Sequence, residues 1–421
     1  MNLTERDQKH IWHPLTQHQT SESFLPISKA KGVLLIDENN TEYIDGISSW
    51  YTAMFGHCND YIIEKVTTQL KNLDQIIFAG LTHEPAVQLS ELLIDILPNN
   101  QEKIFFSDNG STANEIAIKM SLQYHFNKGL KKDTIIAFEN GFHGDTFGAM
   151  SVSGLSVYNG PFKAHLLKVE RIPTPTKENF DKLIKSLKDI ISNNEVSCFI
   201  YEPLVQGANS MHMYEADYLN EILKICKSNQ IICIADEVMT GFGKLGKNFA
   251  SDYIETKPDI ISLSKALTAG VVPMAVTSCT LDIYTAFLSE SIDNAFFHTH
   301  TYTANPIACA AAIAGIELLT SKSIQDNIQK IIESHEAFNS KIKNHAKVQS
   351  TRQLGVIFAL DLNIEMDRYG SRRNEIQKSL LKKGVYLRPL GKTIYILPPY
   401  IISEKHLSKI YSSIEEVLEE L

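Results

Sequence analysis

Residues 231–265 read IICIADEVMTGFGKLGKNFASDYIETKPDIISLSK. The stretch opens and closes with short apolar runs, 231–237 and 259–265, and both runs end in charged side chains. Runs of this length and composition are typical of strands that are buried on both faces, as in a parallel sheet. The stretch therefore predicts two strands of such a sheet, with Asp236 and Lys265 at their carboxyl ends.

The same pattern extends outward from this stretch toward the N-terminus. The further candidate strands are KIFFSD (103–108), TIIAFEN (134–140) and SCFIYEP (197–203). Amphipathic segments lie between the candidate strands, for example ANEIAIKMSLQYH (113–125) and NEILKICKSNQ (220–230). Strands that alternate with helices indicate βαβ units, so we predict an α/β fold whose main sheet is mainly parallel and covered on both faces.

A chain of 421 residues is too long for one small core, and its character changes along its length. Residues 32–46 alternate like a hairpin around an Asn-Asn turn, whereas the last hundred residues are lysine-rich helical patterns and short strands. We predict a large domain over 49–315 and a smaller α+β domain made of the N-terminal segment 1–48 and the C-terminal part 316–421.

Composition narrows the class of protein. The formal net charge is −9, which gives no general attraction to nucleic acid. The six cysteines are scattered without a CxxC pair, so buried reduced thiols are favoured over disulfides or ligands, and no metal site is expected. The N-terminus lacks the apolar region of a signal peptide, and no segment approaches the ~20 apolar residues of a membrane span. We expect a cytoplasmic protein without a membrane partner.

The first candidate site follows the strand over 103–108. An Asn109-Gly110 turn leads into a helix opened by Ser111 and Thr112, and Thr112 and Glu115 are spaced as a capping box. A helix N-terminus with a glycine suits a bound phosphate, because its N–H groups are free and its dipole is positive. A plain capped helix start is the alternative.

The second candidate site consists of Lys265 and Asp236. A lysine amine that emerges in a partly desolvated crevice has a lowered pKa, which favours carbonyl chemistry, although a solvated charge is the ordinary alternative. A carboxylate after a wholly apolar run needs a partner, and a pyridinium N–H or an arginine elsewhere would serve. Ligands of open α/β sheets bind at the strand carboxyl ends, where both residues are expected.

Taken together, an anion cradle, an acid and a lysine in this order resemble the class III aminotransferases, which have the aspartate-aminotransferase fold (fold type I). The resemblance extends over nearly the whole chain. Its general segments are SDNGSTANEIAIKM (107–120), GFHGDTFGAMSVSG (141–154), EPLVQGA (202–208), ADEVMTGFGKLGKNFA (235–250) and PDIISLSKALTAG (258–270).

The resemblance implies a pyridoxal 5'-phosphate enzyme. It makes Lys265 the Schiff-base lysine and Asp236 the partner of the pyridine nitrogen. It makes Gly110 and Ser111 the phosphate loop, and Phe142 a residue that covers the cofactor ring. A homodimer with shared active sites is also implied.

Four further segments resemble the biotin-pathway members of the family: IWHPLTQ (11–17), ISSWYTAMFGH (47–57), HTHTYTANPIACAAA (298–312) and RPLGKTIY (388–395). They imply ping-pong transfer of an amino group from S-adenosylmethionine to 8-amino-7-oxononanoate, which gives 7,8-diaminononanoate. Lysine as the donor, a broader ω-amino-acid transaminase and an aminomutase of the same fold are the alternatives.

The resemblance also assigns contacts outside the catalytic pair. His300 and Thr301 would reach the phosphate site of the neighbouring subunit, and Arg388 would face the carboxylate of the keto acid. The implied substrate contacts are Trp50, Phe142, Lys265, Thr299, Arg388 and Leu15. In isolation, Trp50 would suggest a core residue, Thr301 a cap and Arg388 a surface ion pair.

Three residues depart from the family pattern. Leu15 and Phe142 stand where relatives commonly carry tyrosines, so neither can donate an O–H hydrogen bond. Lys244 replaces an arginine, and a point charge cannot act as a bidentate fork. These changes leave the transamination machinery in place but put in doubt how the amino donor and the keto acid are held.

Overall fold

The computed structural model describes residues 2–21 and 24–421. Its largest sheet has seven strands. In order across the sheet they are Lys103–Ser107, Ala275–Cys279, Ile260–Leu263, Ile232–Asp236, Val196–Tyr201, Thr134–Phe138 and Val169–Ile172. All five strands expected from the sequence are confirmed, and Ala275–Cys279 and Val169–Ile172 are additional.

The sheet is mainly parallel, as the sequence predicts. The exception is Ala275–Cys279, which pairs antiparallel with both of its neighbours. The parallel register places Asp236 opposite Ser262, so the strand that carries Asp236 and the strand that leads to Lys265 end at the same edge. This edge holds the candidate site.

Helices cover the sheet and connect its strands. The α-helices run over Leu3–His10, Asp60–Asn72, Glu84–Ile96, Gly110–Asn127, Phe147–Val152, Phe180–Asn193, Ala216–Ser228, Leu281–Thr285, Pro306–Leu319, Lys322–Ile342, Ser371–Lys382 and Glu404–Glu420. Short 3₁₀ turns lie at Gly160–His165, Ala250–Tyr253, Lys265–Thr268 and Ile292–Asn294. A buried cluster fills each face of the sheet, so the sheet is covered on both faces as predicted.

The helix over Gly110–Asn127 begins earlier than the sequence predicts. Asn109 is its N-cap, and its side chain accepts a 3.0 Å hydrogen bond from the amide of Thr112. The predicted capping box of Thr112 and Glu115 is therefore wrong, because an Asn at the cap takes the amide first. The Glu115 carboxylate instead accepts hydrogen bonds from Thr146 Oγ1 at 2.6 Å and from the amide of Ala149 at 3.0 Å.

Two smaller sheets are formed by the ends of the chain. One contains Ile27–Lys31, Leu34–Asp37, Glu42–Asp45 and Val385–Tyr386, and the other contains Val348–Leu354, Ile357–Leu362 and Thr393–Ile396. The predicted hairpin is present, and Asn40 adopts a positive φ of 62° in its turn. Strand Val385–Tyr386 pairs parallel with Glu42–Asp45, so N-terminal and C-terminal residues share a sheet.

The domain limits at residues 48 and 315 remain predictions. Residue 315 lies inside the helix Pro306–Leu319, whose side chains are mostly buried. This helix packs on Asp60–Asn72, on Glu84–Ile96 and on the turn that begins at Lys265. Its burial explains its almost wholly apolar composition.

Five of the six cysteines are buried and all six are free, so the expectation of buried thiols is confirmed for five and wrong for Cys58, which is exposed. In the part of the chain that the structure describes, no single helix has the length and apolarity to cross a membrane. The bent pair Pro306–Leu319 and Lys322–Ile342 would meet that criterion only together.

Candidate active site

Lys265 follows the strand Ile260–Leu263 and opens a 3₁₀ turn with a positive φ of 51°. Its amine has no hydrogen-bond acceptor among the described residues and lies 5.3 Å from the centroid of the Tyr51 ring. Burial lowers the pKa of the Lys265 amine, while the charges of Asp236 and Glu202 act in the opposite direction. The amine is thus partly desolvated, as the sequence predicts, and its neutral form is a nucleophile.

Asp236 ends its strand with its side chain buried. Oδ2 accepts 2.7 Å hydrogen bonds from Asn114 Nδ2 and His143 Nδ1, and Oδ1 accepts a 3.1 Å bond from the amide of Val238. These three donors supply the hydrogen-bonding partners that a buried carboxylate needs, so an arginine is not required. A carboxylate offers about four acceptor positions, so one remains for a further donor.

Glu202 is a buried carboxylic acid that the sequence analysis left out of its site residues. It follows the strand Val196–Tyr201, and its two oxygens accept from the amides of Phe142 at 2.9 Å and Gly207 at 3.0 Å. Burial raises the pKa of Glu202 to about 7, and the negative charge of Asp236 adds to the rise. The sequence signal that could have identified Glu202 is its position at the end of a buried strand, which it shares with Asp236.

The candidate phosphate loop lies at the start of the helix Gly110–Asn127. A side chain at Gly110 would place its Cβ only 2.7 Å from Val238 Cγ1. The amides of Gly110 and Ser111 have no acceptor among the described residues. Ser111 Oγ accepts a 3.1 Å hydrogen bond from the amide of Asp145, which joins this loop to the following segment.

These residues fit the pyridoxal phosphate that the sequence leads us to expect. The fit has three parts: the free acceptor position on Asp236, the unpaired amine of Lys265, and the two free amides at a helix N-terminus. In addition, His143 Nε2 is buried without a hydrogen-bond partner among the described residues. Asn114 and His143, which position Asp236, are separated from it by about a hundred residues, so their role could not be read from spacing.

Trp50 and Tyr51 lie on a left-handed turn. Residues Ser48–Tyr51 have φ values of 49°, 46°, 65° and 72°, and a left-handed conformation costs roughly 1–2 kcal/mol per non-glycine residue. Ser49 Oγ donates a 2.9 Å hydrogen bond to Asp45 Oδ2 and so helps to hold the turn. Strained backbone that the surroundings maintain is typical of functional sites.

The left-handed turn brings the N-terminal part of the chain to Arg388. The Arg388 guanidinium carbon lies 4.5 Å from the centroid of the Trp50 ring, a cation–π arrangement. Trp50 is 41% exposed, so it is not a core residue, and no carboxylate among the described residues forms a salt bridge with Arg388. The structure thus brings together two of the residues that the sequence assigned to substrate binding.

Phe142 is partly buried beside the Glu202 carboxyl group, to which its amide donates. Its ring meets Tyr158 edge-on with centroids 5.8 Å apart. The Tyr158 hydroxyl accepts a 3.1 Å hydrogen bond from Tyr369. Phe142 itself has no hydroxyl group. Two phenol hydroxyls, those of Tyr158 and Tyr369, lie nearby instead.

Lys244 is fully buried, and its amine donates a 2.9 Å hydrogen bond to the carbonyl of Gly241. Burial lowers the pKa of Lys244 well below its usual value, and the charge of Lys265 lowers it further. The side chain is thus a single-point donor in a closed environment. It cannot reproduce the bidentate fork of an arginine.

His300 is the third of four polar side chains that lie in a row. Lys119 Nζ lies 2.9 Å from His298 Nδ1, His298 Nε2 lies 3.1 Å from His300 Nε2, and His300 Nδ1 lies 3.1 Å from Asp108 Oδ2. A lysine ammonium only donates, so His298 accepts at Nδ1 and carries its proton on Nε2. The last contact has ion-pair distance but lacks hydrogen-bond geometry.

Three predicted site residues make no hydrogen bond or ring contact with Lys265. Thr299 and Thr301 are exposed on the loop before Pro306–Leu319, where the carbonyl of Thr301 accepts from Gln75 Nε2 at 2.9 Å. Leu15 is exposed with a positive φ of 53°, in the N-terminal segment. The roles assigned to these three residues remain predictions.

Comparisons with known proteins agree with one another. The family model described as Aminotransferase class-III matches residues 15–418. The chain is 39% identical over 425 residues to the adenosylmethionine-8-amino-7-oxononanoate aminotransferase of Synechococcus elongatus, with coverage of 98% of this chain and 99% of that protein.

Two solved structures are similar over their whole length. The crystal structure of adenosylmethionine-8-amino-7-oxononanoate aminotransferase from Methanocaldococcus jannaschii has a TM-score of 0.94 and 35% identity, covering 99% of this chain and 98% of that one. An amine transaminase from an uncultivated Pseudomonas species, solved in a PLP-bound form, has a TM-score of 0.91 and 26% identity, covering 98% of each chain.

Proposed function

The chain belongs to the class-III aminotransferases, and from this membership we propose that it transfers an amino group from S-adenosylmethionine to 8-amino-7-oxononanoate in biotin biosynthesis. The proposal is supported by the named relatives, of which the first cited is 39% identical over nearly the whole chain. The observation that carries it is the convergence of Lys265, Asp236 and the Trp50–Arg388 pair at one edge of the sheet.

Pyridoxal phosphate is the cofactor of this family, and when bound it supplies an electron sink for the carbon that carries the transferred nitrogen. In this chain, the amides of Gly110 and Ser111 would hold its phosphate. Asp236 would bind its ring nitrogen through the acceptor position that Asn114 and His143 leave open.

Lys265 is the residue that moves protons in the proposed reaction. Its amine must be neutral to accept a proton, and burial favours the neutral form by lowering its pKa. Tyr51 lies against the amine and limits its contact with water. A positioned general base of this kind contributes roughly 10²–10⁴-fold to the rate of proton transfer.

Arg388 would bind the carboxylate of the keto acid in front of Trp50. Its cation–π contact with the indole ring restricts the side chain, so less side-chain freedom is lost when a carboxylate binds. Both substrates would use the same site in turn, since the amino group is stored between two half-reactions. We therefore expect ping-pong kinetics.

The decisive experiment is a panel of amino donors. Cofactor-loaded protein is mixed with S-adenosylmethionine, lysine, ornithine or 4-aminobutyrate, and the change in the visible absorbance of the bound cofactor is followed. We expect conversion with S-adenosylmethionine and, on subsequent addition of 8-amino-7-oxononanoate, reversal of the spectral change. Conversion by lysine alone would assign the donor to lysine.

The control for this panel is Lys265→Ala. Its loss of the amine should remove the visible band of the lysine-bound cofactor and abolish turnover, because Lys265 is the residue assigned both to hold the cofactor and to move the proton. A variant that keeps both would refute the catalytic assignment. Conversion by 4-aminobutyrate or ornithine with no response to 8-amino-7-oxononanoate would instead identify a broader ω-amino-acid transaminase.

A further inference from the structure

Asp45 carries a fully buried carboxyl group just before the left-handed turn Ser48–Tyr51. It is the last residue of the strand Glu42–Asp45. A carboxylate that is removed from water needs hydrogen-bond donors or a cation, because burial of an unpaired charge is costly. The donors that reach Asp45 come from the turn and from a histidine beyond it.

Three donors converge on the Asp45 carboxylate. Ser49 Oγ and His57 Nε2 lie 2.9 Å and 2.8 Å from Oδ2, and the amide of Ile47 lies 3.3 Å from Oδ1. A carboxylate only accepts, so the imidazole carries a proton on Nε2. The His57 side chain is largely buried, so the contact is shielded from water. One buried carboxylate therefore joins the left-handed turn to His57.

The backbone of His57 is itself fixed. Its amide donates to the carbonyl of Gly32 at 2.7 Å, and the amide of Gly32 donates to the carbonyl of His57 at 2.9 Å. The preceding residue, Gly56, has a φ of 79°, and a Cβ there would lie 2.9 Å from the Gly32 carbonyl oxygen. Glycine is the residue that allows this close approach. His57 is thus an anchored donor.

The left-handed turn needs support from outside. Its four residues, Ser48–Tyr51, all have positive φ values, and none of them is a glycine. This conformation is unfavourable for each of them and persists only where the surroundings hold it. Ser49 Oγ attaches the turn to Asp45, and Ser48 Oγ donates a 2.7 Å hydrogen bond to the carbonyl of Leu397. Without the attachment to Asp45, the turn would relax toward an ordinary backbone conformation.

The turn presents two aromatic rings to the candidate active site. Trp50 lies against the Arg388 guanidinium at 4.5 Å, and the ring centroid of Tyr51 lies 5.3 Å from the Lys265 amine. In the part of the chain that the structure describes, the Asp45–His57 pair makes no hydrogen bond with either of those cations. An effect of the pair on the site would therefore act through the turn.

We propose that Asp45 and His57 are positioning residues for the substrate site. The pair holds the left-handed turn in the conformation that presents Trp50 to Arg388. The same turn presents Tyr51 to Lys265. The consequence for substrate binding rests on the proposed function, in which Arg388 binds the carboxylate of the acid.

The fluorescence of Trp50 tests the positioning without any substrate. The chain has two tryptophans, so Trp12→Phe leaves Trp50 as the single reporter. Acrylamide quenching of the cofactor-loaded protein then measures the accessibility of the Trp50 ring, which is 41% exposed in the structure. We expect His57→Leu to raise the quenching constant by roughly 1.5- to 2-fold, because a locally relaxed turn uncovers the ring.

Two further variants separate positioning from a general loss of stability. His57→Gln keeps an N–H that can donate to the Asp45 carboxylate, so its quenching should stay close to that of the background protein. His345→Leu is the matched control, because His345 pairs with the carboxylate of Glu419 at 3.1 Å, on the last helix. It removes a comparable pair and should leave the quenching unchanged.

Steady-state kinetics with 8-amino-7-oxononanoate give a second readout, in the chain that keeps both tryptophans. We expect His57→Leu to raise the KM for this acid by roughly fivefold with a smaller effect on kcat, since Arg388 loses the ring that restricts it. His57→Gln should restore most of the KM. Increased quenching with an unchanged KM would show that the pair serves stability alone, and the positioning role would be wrong.

Unchanged quenching in His57→Leu would overturn the proposal, as would an equal increase in His57→Gln or His345→Leu. If His57→Leu does not fold, as judged by its melting curve, Ser49→Ala decides in the same way, because it removes only the hydroxyl that links the turn to Asp45. The fluorescence measurement requires no turnover. The proposed function can therefore fail in the donor panel while the attachment of the turn stands, and the reverse outcome is equally distinguishable.

Discussion

At the scale of single residues, the unusual group in this site is the Glu202 carboxyl. Two amides donate to it, yet burial raises its pKa to about 7. Desolvation therefore outweighs the hydrogen bonds. A carboxylic acid that titrates near neutrality beside Lys265 and Asp236 makes the charge of the site depend on pH in the physiological range.

This pKa has a consequence for stability. Since the folded pKa is raised above the ordinary value of 4.5, the folded state binds the proton more tightly, and its stability falls as the pH rises from about 4.5 to about 7. Glu202→Gln removes this dependence. We expect the difference in melting temperature, Glu202→Gln minus wild type, to increase as the pH rises from about 4.5 to about 7. Above pH 7 this difference should stay constant.

Calorimetric melting of both proteins from pH 4.5 to pH 8 measures this difference, which corresponds to about 3 kcal/mol over the whole window. Glu139→Gln is the control, because Glu139 is exposed after the neighbouring strand. Parallel melting profiles for wild type and Glu202→Gln would show that the pKa of Glu202 is the same in the folded and unfolded states, and the assignment of its raised pKa would be wrong.

At the scale of elements, side-chain hydrogen bonds attach the loop before the helix Pro306–Leu319 to the helix Gly110–Asn127. Lys119 of the helix bonds to His298 of the loop, and His298 bonds to His300. Burial lowers the pKa of His298, and the positive charge of Lys119 lowers it further. The neutral imidazole can accept from Lys119, whereas a protonated one cannot. The loop that carries Thr301 is thus held by a neutral histidine.

Replacing Lys119 with Met should loosen this loop. The variant leaves His298 Nδ1 without its donor, so we expect amide hydrogen exchange over residues 296–303 to accelerate by roughly 5- to 10-fold, as for the loss of a bond worth about 1 kcal/mol. Mass spectrometry of peptic fragments measures the exchange. Lys131→Met, an exposed position just after the same helix, should leave it unchanged.

If the loop amides of Lys119→Met exchange as slowly as those of wild type, contacts other than the Lys119–His298 hydrogen bond hold the loop. The backbone offers one such contact, because the amide of His300 donates to Thr303 Oγ1 at 3.0 Å. Thr303→Ala in the Lys119→Met background would then identify the residual attachment.

At the scale of the whole molecule, several predicted site residues face outward. Thr299 and Thr301 are exposed, and the same loop exposes Phe297 and Tyr302, which are 71% and 63% accessible. Large exposed apolar side chains are characteristic of interaction surfaces. We propose a homodimer in which this loop completes the phosphate site of the partner, as the family resemblance implies.

Mixing two defective variants tests the shared site. Lys265→Ala lacks the amine, and Thr301→Ala lacks the proposed phosphate contact, so each homodimer should be impaired when cofactor is limiting. In a mixed dimer, one site has both Lys265 and the partner's intact Thr301. We expect mixing to restore about a quarter of wild-type activity after random exchange of subunits, since half of the dimers are mixed and each has one complete site.

Size-exclusion chromatography with light scattering establishes the oligomeric state alongside this assay. Fully active monomers at micromolar concentration would contradict the shared site. So would a mixture that remains no more active than its two components. Restoration in the mixture combined with a dimeric mass would support the proposed assembly.

The sequence by itself determined five of the seven strands of the main sheet and the position of the candidate catalytic pair, Asp236 and Lys265. Buried parallel strands are continuous apolar runs, and the residue that ends each run must lie at the carboxyl edge, so Asp236 and Lys265 were placed by local information alone. The antiparallel strand Ala275–Cys279 was not predicted. Its burial on both faces resembles that of the parallel strands, and direction leaves no mark in composition.

Only the tertiary structure decided how the site is completed. The partners of Asp236 at Asn114 and His143, the raised pKa of Glu202, and the contact of Trp50 with Arg388 depend on contacts between distant segments. A pKa shift arises from burial and neighbouring charge, which are properties of three-dimensional packing. Local pattern therefore identifies the reactive groups, whereas packing sets their protonation and the substrate contacts around them.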